Sequence, residues 1–210
     1  MLHLISRCFR DFKVAFFDSG AEYPDTIEFI NYCENAFKLD LTIIQPAWSI
    51  TELRRMAGNF GYLGSEFKGI ILKPGDLKRI LVTEPAETFR KEYNIEVQCI
   101  GLRMEESRGR LSLLKNGALQ RTEYSGIHHF YPLRLWTGRD IWAYISKHNL
   151  QYNKIYDKLK FCKENREIQR VGSYFGATNL SKGRFLFLRT YYPEIFYKLT
   201  AEFPGLRTYV

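Results

Sequence analysis

Two short polar segments have the residue types that bind phosphate or sulfate groups. Asp18–Gly20 directly follows the apolar run Lys13–Phe17, and its glycine lets a backbone approach a ligand closely. Gly101–Arg108 follows a second apolar run, and its Arg103 and Arg108 can each bind an oxyanion through two parallel hydrogen bonds. An arginine beside glutamates is also typical of an exposed ion-pair cluster. The residues alone leave both interpretations open.

The cysteines do not indicate a metal or cluster site. Cys8, Cys33, Cys99 and Cys162 lie far apart, and no two have the Cys-x-x-Cys spacing. We therefore expect free thiols, with no disulfide, no iron–sulfur cluster and no bound metal. Cys162 has basic neighbours that favour a reactive thiolate, but a surface thiol without a function is the favoured interpretation.

The composition is that of an ordered globular protein. The 210 residues are 45% hydrophobic and 16% aromatic, which is enough for one domain with a sizeable core. No apolar run approaches the roughly 20 residues that cross a bilayer, and the first residues lack the cleavage site of a secretory signal. We therefore predict a single domain over residues 1–210, located in the cytoplasm and without membrane contact.

The net charge favours a polyanionic partner. There are 31 lysines and arginines against 23 aspartates and glutamates, which gives +8. Such an excess suits a nucleotide, a nucleic acid or an acidic protein. The basic residues are spread along the chain without a basic tail, so a solvated basic surface explains them equally well.

The elements that must position the polar segments alternate between helix and strand. Met1–Phe12 has the apolar spacing of an amphipathic helix, and the buried strand Lys13–Asp18 follows at once. A helix from Pro24 to Phe37 and a strand at Leu39–Ile44 come next. Asn94–Gly101 is the clearest later strand. This alternation predicts an α/β sandwich with a mainly parallel sheet.

Two local patterns mark the second half of the chain. Thr137–Asp140 has capping-box spacing and opens a helix through Ile145. Lys115–Gly117 has the composition of a tight turn, which would join two extended pieces at Leu111–Leu114 and Leu119–Tyr124.

The chain opens with a helix that leads into a strand, with no strand before it. A helix that leads into a parallel strand is normally the second half of a strand–helix–strand unit. We therefore expect that a first strand and its turn are missing from this chain. That turn is where such folds commonly hold phosphate.

Three segments, in order, resemble the phosphoadenosine phosphosulfate (PAPS) reductase family. Phe17–Thr26 (FDSGAEYPDT) resembles the family's Asp-Thr-Gly and Pro-Glu-Thr segment. Gly101–Arg108 (GLRMEESR) resembles its Gly-(Ile/Leu)-Arg-x-x-Glu-Ser segment. Tyr131–Asp157 resembles its block of Pro-Leu, Trp-Thr, Asp-Val-Trp, Tyr-Ile and Asn-x-x-Tyr-Asp.

The resemblance implies an adenine nucleotide α-hydrolase-like fold of the PP-loop superfamily, a Rossmann-like α/β/α sandwich that binds ATP or a sulfonucleotide. Met1–Ile5 resembles the helix directly after the family's Ser-Gly-Gly-Lys-Asp-Ser PP-loop, so we expect that loop to be absent from this chain. The resemblance implies nucleotide contacts at both strand ends, namely Asp18, Ser19, Gly20, Gly101, Arg103, Glu106, Ser107 and Arg108. Asp18 and Ser19 are explained equally well as a strand-end cap.

Two departures from the family bear on activity. Family reductases use a cysteine near the C-terminus as nucleophile, whereas this chain ends Leu206–Val210 without one. Gly172–Ala177 corresponds to the Gly-Cys-x-x-Cys block of many relatives, with Ser173 and Gly176 where thiols would stand. Neither residue type suits an iron–sulfur or zinc site. No catalytic residue is assigned.

Three hypotheses on function follow. The first is a PAPS reductase-like nucleotide enzyme of sulfur metabolism, whose complete protein performs ATP-pyrophosphatase, adenylation or sulfur-transfer chemistry, with Mg²⁺ when ATP is the ligand. The second is a non-catalytic module that binds nucleic acid or a protein through its basic surface. The third is one half of a split enzyme that a second polypeptide completes.

Overall fold

A computed structural model describes residues 1–56, 66–67, 70–71, 76–122, 126–162, 169–174 and 184–209. The helices are α1 (Leu2–Cys8), α2 (Pro24–Phe37), α3 (Ile50–Met56), α4 (Asp76–Lys78), α5 (Glu84–Glu92), α6 (Arg108–Leu114), α7 (Gly138–Lys147), α8 (Ile155–Lys158), α9 (Arg184–Tyr191) and α10 (Pro193–Glu202). The strands are β1 (Lys13–Phe17), β2 (Asp40–Ile44), β3 (Glu66–Phe67), β4 (Ile70–Ile71), β5 (Val97–Cys99), β6 (Leu119–Arg121) and β7 (His128–Phe130). A π-helical turn covers Arg79–Thr83, and 3-10 turns cover Met104–Glu106, Leu159–Cys162 and Pro204–Tyr209. No helix within these ranges is long and apolar enough to cross a membrane.

These elements form two compact units. The β1–β2 unit takes the described residues of Lys13–Pro85, Asn153–Glu164 and Gln169–Val210. The β5–β7 unit takes those of Met1–Phe12 and Ala86–Tyr152. A single domain over residues 1–210 stays a prediction.

A parallel strand pair forms the main sheet of the β1–β2 unit. Strands β1 and β2 pair in a register that places Lys13 opposite Asp40, and these two side chains form an ion pair at 2.6 Å. Parallel neighbours need a crossover connection, and α2 supplies it. Pro24 occupies the first turn of α2, where a missing N–H costs nothing, and Lys38, the residue that caps the helix after Phe37, has the left-handed conformation. The predicted strand–helix–strand order is confirmed here.

Residues that are distant in sequence build the core of this unit. Tyr23 is 1% exposed, and its ring packs edge-on against Phe187 and Tyr174. Burying an apolar side chain of this size contributes roughly 1.5–3 kcal/mol. The buried members are Ala21, Tyr23, Ile50, Leu53, Leu81, Ile155, Leu159, Phe185, Phe187, Leu188, Tyr192, Phe196, Leu199 and Leu206. The segment after β1 is thereby held against α9 and α10.

The β5–β7 unit has a mixed three-stranded sheet. Its strand order is β5-β7-β6, with β7 parallel to β5 and antiparallel to β6. Helix α6 lies between β5 and β6 along the chain. The buried apolar side chains of the unit are Ile5, Phe89, Leu114, Tyr131 and Leu133. Parallel strand pairs with helices between them confirm the predicted α/β fold.

One predicted element is wrong, and two others are clearly longer than the structure shows. The sequence predicts an extended piece at Leu111–Leu114, but these residues belong to α6. Ser107 supplies the reason, because its Oγ accepts the N–H of Arg110 at 3.2 Å and so starts a helix. The predicted helix Met1–Phe12 ends at Cys8, and the predicted strand Asn94–Gly101 is reduced to β5.

A half-buried histidine lies on the central strand β7. The Nδ1 atom of His129 is 3.1 Å from the Tyr131 hydroxyl, and its buried Nε2 has no hydrogen-bond partner in the described part of the chain. Burial lowers the pKa of His129, and the positive charge of Arg90 lowers it further. The neutral ring therefore fits the fold, whereas a protonated ring would add a second cation beside Arg90.

Acid should destabilise the chain through His129. Because its folded-state pKa lies below the ordinary value of about 6.5, the stability it contributes is present above that pH. This stability is lost as the pH falls through the folded-state pKa. Between about pH 7.5 and about pH 5, the His129→Gln variant should lose less unfolding free energy in urea than the original chain. His128→Gln changes an exposed neighbour and should keep the original pH dependence. Identical pH profiles for His129→Gln and the original chain would contradict the assignment.

Candidate functional site

The carboxyl end of β1 continues into a tight polar turn. The Asp18 N–H donates to the Ile44 carbonyl at 3.0 Å, which extends the pairing of β1 with β2 by one residue. The Asp18 Oδ1 atom accepts the Gly20 N–H at 2.8 Å. The turn thus holds Asp18 and Ser19 at a strand end, where ligands bind in open parallel sheets.

Gly20 is required by the close approach of two loops. Its φ is +77°, and a Cβ atom there would lie 2.7 Å from Ser49 Cβ. Ser49 is itself fixed, because its Oγ accepts the Glu52 N–H at 3.2 Å and its N–H donates to Glu52 Oε2 at 2.8 Å. The sequence predicts a glycine that admits a ligand, and the structure shows that this glycine admits Ser49.

Ser19 is paired with a partly buried carboxyl group. Its Oγ donates to Glu22 Oε1 at 2.7 Å. Burial raises the pKa of Glu22 and the charge of Asp18 adds to the rise, while the hydrogen bond from Ser19 opposes it. Burial and these two carboxyl groups also raise the pKa of the Tyr174 phenol. The turn presents hydroxyl and carboxyl oxygens, which suit the hydroxyl groups of a ligand better than its anionic groups.

Arg103 lies just beyond β5, buried between two glutamates. Its side chain is 10% exposed, Nη1 donates to Glu105 Oε1 at 2.7 Å, and Nε donates to Glu106 Oε1 at 3.3 Å. A buried charge needs such partners. Glu106 also accepts the backbone N–H of Arg103 at 3.4 Å and pairs with Arg110. The block is therefore an ion-pair cluster, but its central arginine is buried rather than exposed.

Glu105 joins this cluster to helix α7. Its Oε1 atom accepts the N–H of Gly138, the first residue of α7, at 2.6 Å. The predicted capping box is confirmed, because the Asp140 N–H donates to Thr137 Oγ1 at 3.1 Å and the Thr137 N–H donates to Asp140 Oδ2 at 2.8 Å. The capping box thus satisfies the N–H groups of Thr137 and Asp140, and the N–H of Gly138 between them donates to Glu105. The positive end of the helix dipole also favours a carboxylate there.

The other predicted residues of the block have separate surroundings. Gly101 is exposed, and a Cβ atom there would be 3.4 Å from Met1 Sδ. Ser107 caps α6 through Arg110. The side chain of Arg108 is exposed and makes no hydrogen bond or ion pair with the residues that the structure describes. Its guanidinium is therefore available to a ligand.

The two predicted groups belong to different units. Asp18, Ser19 and Gly20 lie in the β1–β2 unit, and Gly101, Arg103, Glu106, Ser107 and Arg108 lie in the β5–β7 unit. Within each unit, the structure brings the predicted residues together next to the end of a parallel strand. Their assignment as nucleotide contacts stays a prediction.

Sequence reasoning missed a polar network in the β1–β2 unit. Asp25 Oδ2 accepts hydrogen bonds from Lys158 Nζ at 2.8 Å and from the Tyr192 hydroxyl at 2.7 Å. The Asn153 Nδ2 donates to Thr26 Oγ1 at 2.9 Å. The Pro-Asp-Thr and Asn-x-x-Tyr-Asp segments are therefore direct neighbours. The sequence indicated this contact only in that both segments belong to the motifs of the same family.

The described residues contain no group of three or more histidine, cysteine or acidic side chains placed to hold a metal ion. Burial raises the pKa of the Cys33 and Cys99 thiols, which disfavours reactive thiolates at both positions. The predictions for the Cys162 side chain and for Gly176 lie outside the described residues.

The fold and its strand-end groups define a Rossmann-like α/β protein, and comparison with known proteins agrees. A phosphoadenylyl-sulfate (PAPS) reductase from Candida auris, solved as a phosphate complex, superposes with a TM-score of 0.61. That comparison has 21% sequence identity and covers 83% of this chain and 75% of the other. The two chains share a fold.

Sequence comparisons define the family. The family described as "Phosphoadenosine phosphosulfate reductase domain" matches residues 1–178. Phosphoadenosine 5'-phosphosulfate reductase of Salmonella schwarzengrund (strain CVM19633) is 29% identical over 163 residues, and that of Escherichia coli O1:K1 / APEC is 30% identical over 157 residues. The chain belongs to the PAPS reductase family, within the PP-loop superfamily. Each alignment covers 75% of this chain and 60% of the relative, so the chain spans about 60% of the length of these curated relatives.

Replacing Gly20 by alanine should destabilise the β1–β2 unit. A side chain in the left-handed region costs roughly 1–2 kcal/mol, and the new Cβ atom must also displace Ser49. We expect the unfolding free energy measured in urea to fall by about 2 kcal/mol or more. Gly109→Ala is the matched control, because Gly109 lies in α6 with open space around its Cβ position. That variant should be neutral or up to about 1 kcal/mol more stable. Equal stability of the two variants would show that Gly20 is not constrained.

Proposed function

We propose that this chain is the nucleotide-binding part of a PAPS reductase-like protein. Its ligand is an adenine nucleotide that carries a sulfate or phosphate group, such as PAPS or ATP. The observation that carries the proposal is the buried guanidinium of Arg103 beyond the carboxyl end of β5. Arginine offers paired donors that match an oxyanion, and shielding from water strengthens them. The curated relatives are named as PAPS reductases, which supports a sulfonucleotide as the ligand.

Arg108 supplies a second cation next to the same block. Its exposed side chain has no partner among the described residues, so it can turn toward a ligand without breaking an ion pair. Glu106 holds Arg103 through Nε and the backbone N–H, and we assign it a positioning role. Ser107 acts indirectly, because it caps the helix whose first residue is Arg108 and so fixes the position of that residue.

Asp18, Ser19 and Gly20 are proposed nucleotide contacts on separate grounds. The Asp18 carboxylate and the Ser19 hydroxyl stand at the end of β1, and Gly20 keeps the turn tight. Ribose hydroxyl groups both donate and accept hydrogen bonds, which suits a carboxylate and a hydroxyl. Ribose hydroxyl groups are therefore a better match for this turn than an anionic group.

For the complete protein we propose ATP-pyrophosphatase, adenylation or sulfur-transfer chemistry. The chain spans about 60% of the length of its curated relatives. The rest of each relative contributes to that relative's reaction, so the chemistry proposed here is that of a complete protein. Mg²⁺ would accompany ATP as its usual counter-ion.

The net charge of +8 favours a second candidate, the binding of nucleic acid. A basic surface binds polynucleotides mainly through release of counter-ions, so the affinity falls steeply with salt. A nucleotide held by Arg103 and Arg108 makes few phosphate contacts and should depend on salt much less. The slope of log affinity against log salt concentration therefore separates the two candidates.

Calorimetric titration of the chain should detect PAPS or ATP binding that Arg108→Ala weakens. Loss of one charge-assisted contact should reduce affinity roughly tenfold. Arg7→Ala is the matched control, since it removes an exposed arginine of the same unit outside the block. The control should bind like the original chain. Adenine nucleotides that bind no more tightly than inorganic sulfate, or equal losses in both variants, would overturn the proposed function.

A further inference from the structure

The carboxylate of Glu105 is bound in the manner of an anionic ligand. One oxygen, Oε1, receives the Arg103 Nη1 donor at 2.7 Å and the Gly138 N–H at 2.6 Å. A guanidinium together with the first amide of a ten-residue helix is a typical donor set for phosphate or sulfate. The β5–β7 unit thus contains a formed oxyanion position that the chain's own side chain fills.

We propose that Glu105 is an internal stand-in for the substrate, and that a sulfate or phosphate oxygen of the nucleotide replaces Glu105 Oε1 between Arg103 and Gly138. This inference rests on the proposed function and adds to it the atoms that receive the anionic group. It also makes the Glu105 carboxylate a competitor of the ligand for these two donors.

Both donors would remain in place after Glu105 leaves. Arg103 is held independently by Glu106, which accepts from its Nε and its backbone N–H. Gly138 is held by the capping box of Thr137 and Asp140, which does not involve Glu105. The position is therefore preorganised, and an incoming anion would not have to order it.

Glu105 is the glutamate that can leave. Its side chain is 36% exposed, whereas that of Glu106 is 11% exposed and also pairs with Arg110. Glu105 lies on a single 3-10 turn, so its side chain can rotate into water without unwinding a helix. Release of Glu106 would instead expose two arginines to each other.

The charges of the block make an exchange more favourable than an addition. Arg103 and Arg110 are balanced by Glu105 and Glu106, so these four paired side chains have no net charge, and the exposed Arg108 beside them is the cation of the block that can attract an anion. An anion that enters beside Glu105 would meet its negative charge at close range. If Glu105 moves into water as the anion enters, the balance around Arg103 is kept.

Sulfate titration followed by NMR tests the exchange. The probe is sodium sulfate added to the 210-residue chain at constant ionic strength, with the Gly138 amide signal as reporter. In the Glu105→Gln variant the competing charge is gone, and we expect sulfate to bind about tenfold more tightly. Glu92→Gln removes an exposed charge of α5 and is the matched control, which should bind sulfate like the original chain.

A second variant tests whether the length of the Glu105 side chain matters apart from its charge. Glu105→Asp keeps the charge but shortens the side chain by one methylene, so it cannot span Arg103 and Gly138 as Glu105 does. Tighter sulfate binding by this variant as well would support the exchange. Unchanged sulfate affinity in both Glu105 variants, or sulfate binding that leaves the Gly138 signal unmoved, would overturn it. Sulfate exchange without any added affinity for adenine nucleotides would instead count against the proposed function alone.

Discussion

The pairing of a buried arginine organises the β5–β7 unit. Arg103 is largely removed from water, and a charge in that position is tolerated only with close counter-charges and filled hydrogen bonds. Glu106 supplies one partner from the same turn, and Glu105 supplies the other while it also binds the first amide of α7. One requirement, the neutralisation of Arg103, therefore positions the turn after β5 and the start of α7. The family segment Gly101–Arg108 therefore both fixes the start of α7 and contains the proposed anion site.

In the β1–β2 unit, too, a shielded charged group is satisfied by partners from distant parts of the chain. Asp25, at the start of α2, accepts hydrogen bonds from Lys158 and Tyr192, and burial together with Asp25 raises the pKa of the Tyr192 phenol. Asn153 adds a hydrogen bond to Thr26. Two family segments that are distant in sequence are thereby tied to each other, next to the aromatic core around Tyr23.

Local sequence signals predicted what depends on local physics. Pro24 marked the start of α2, and the Thr137–Asp140 spacing marked the cap of α7, because both features act within one helical turn. Three ordered segments were sufficient for the family and the α/β class. The extended piece at Leu111–Leu114 was wrong, because the capping effect of Ser107 outweighed the turn pattern that follows it. The bonds of Glu105 with Gly138 and of Asn153 with Thr26 join residues far apart in the chain, and no spacing rule predicts such pairs.

The role of Glu105 is decided by which oxygen lies between Arg103 Nη1 and the Gly138 N–H when a nucleotide is bound. A crystal structure of the chain with PAPS would show it. We predict a sulfate or phosphate oxygen within about 3 Å of both donors, with the Glu105 carboxylate turned into water. A bound nucleotide elsewhere on the chain, with Glu105 still in its present position, would contradict the account.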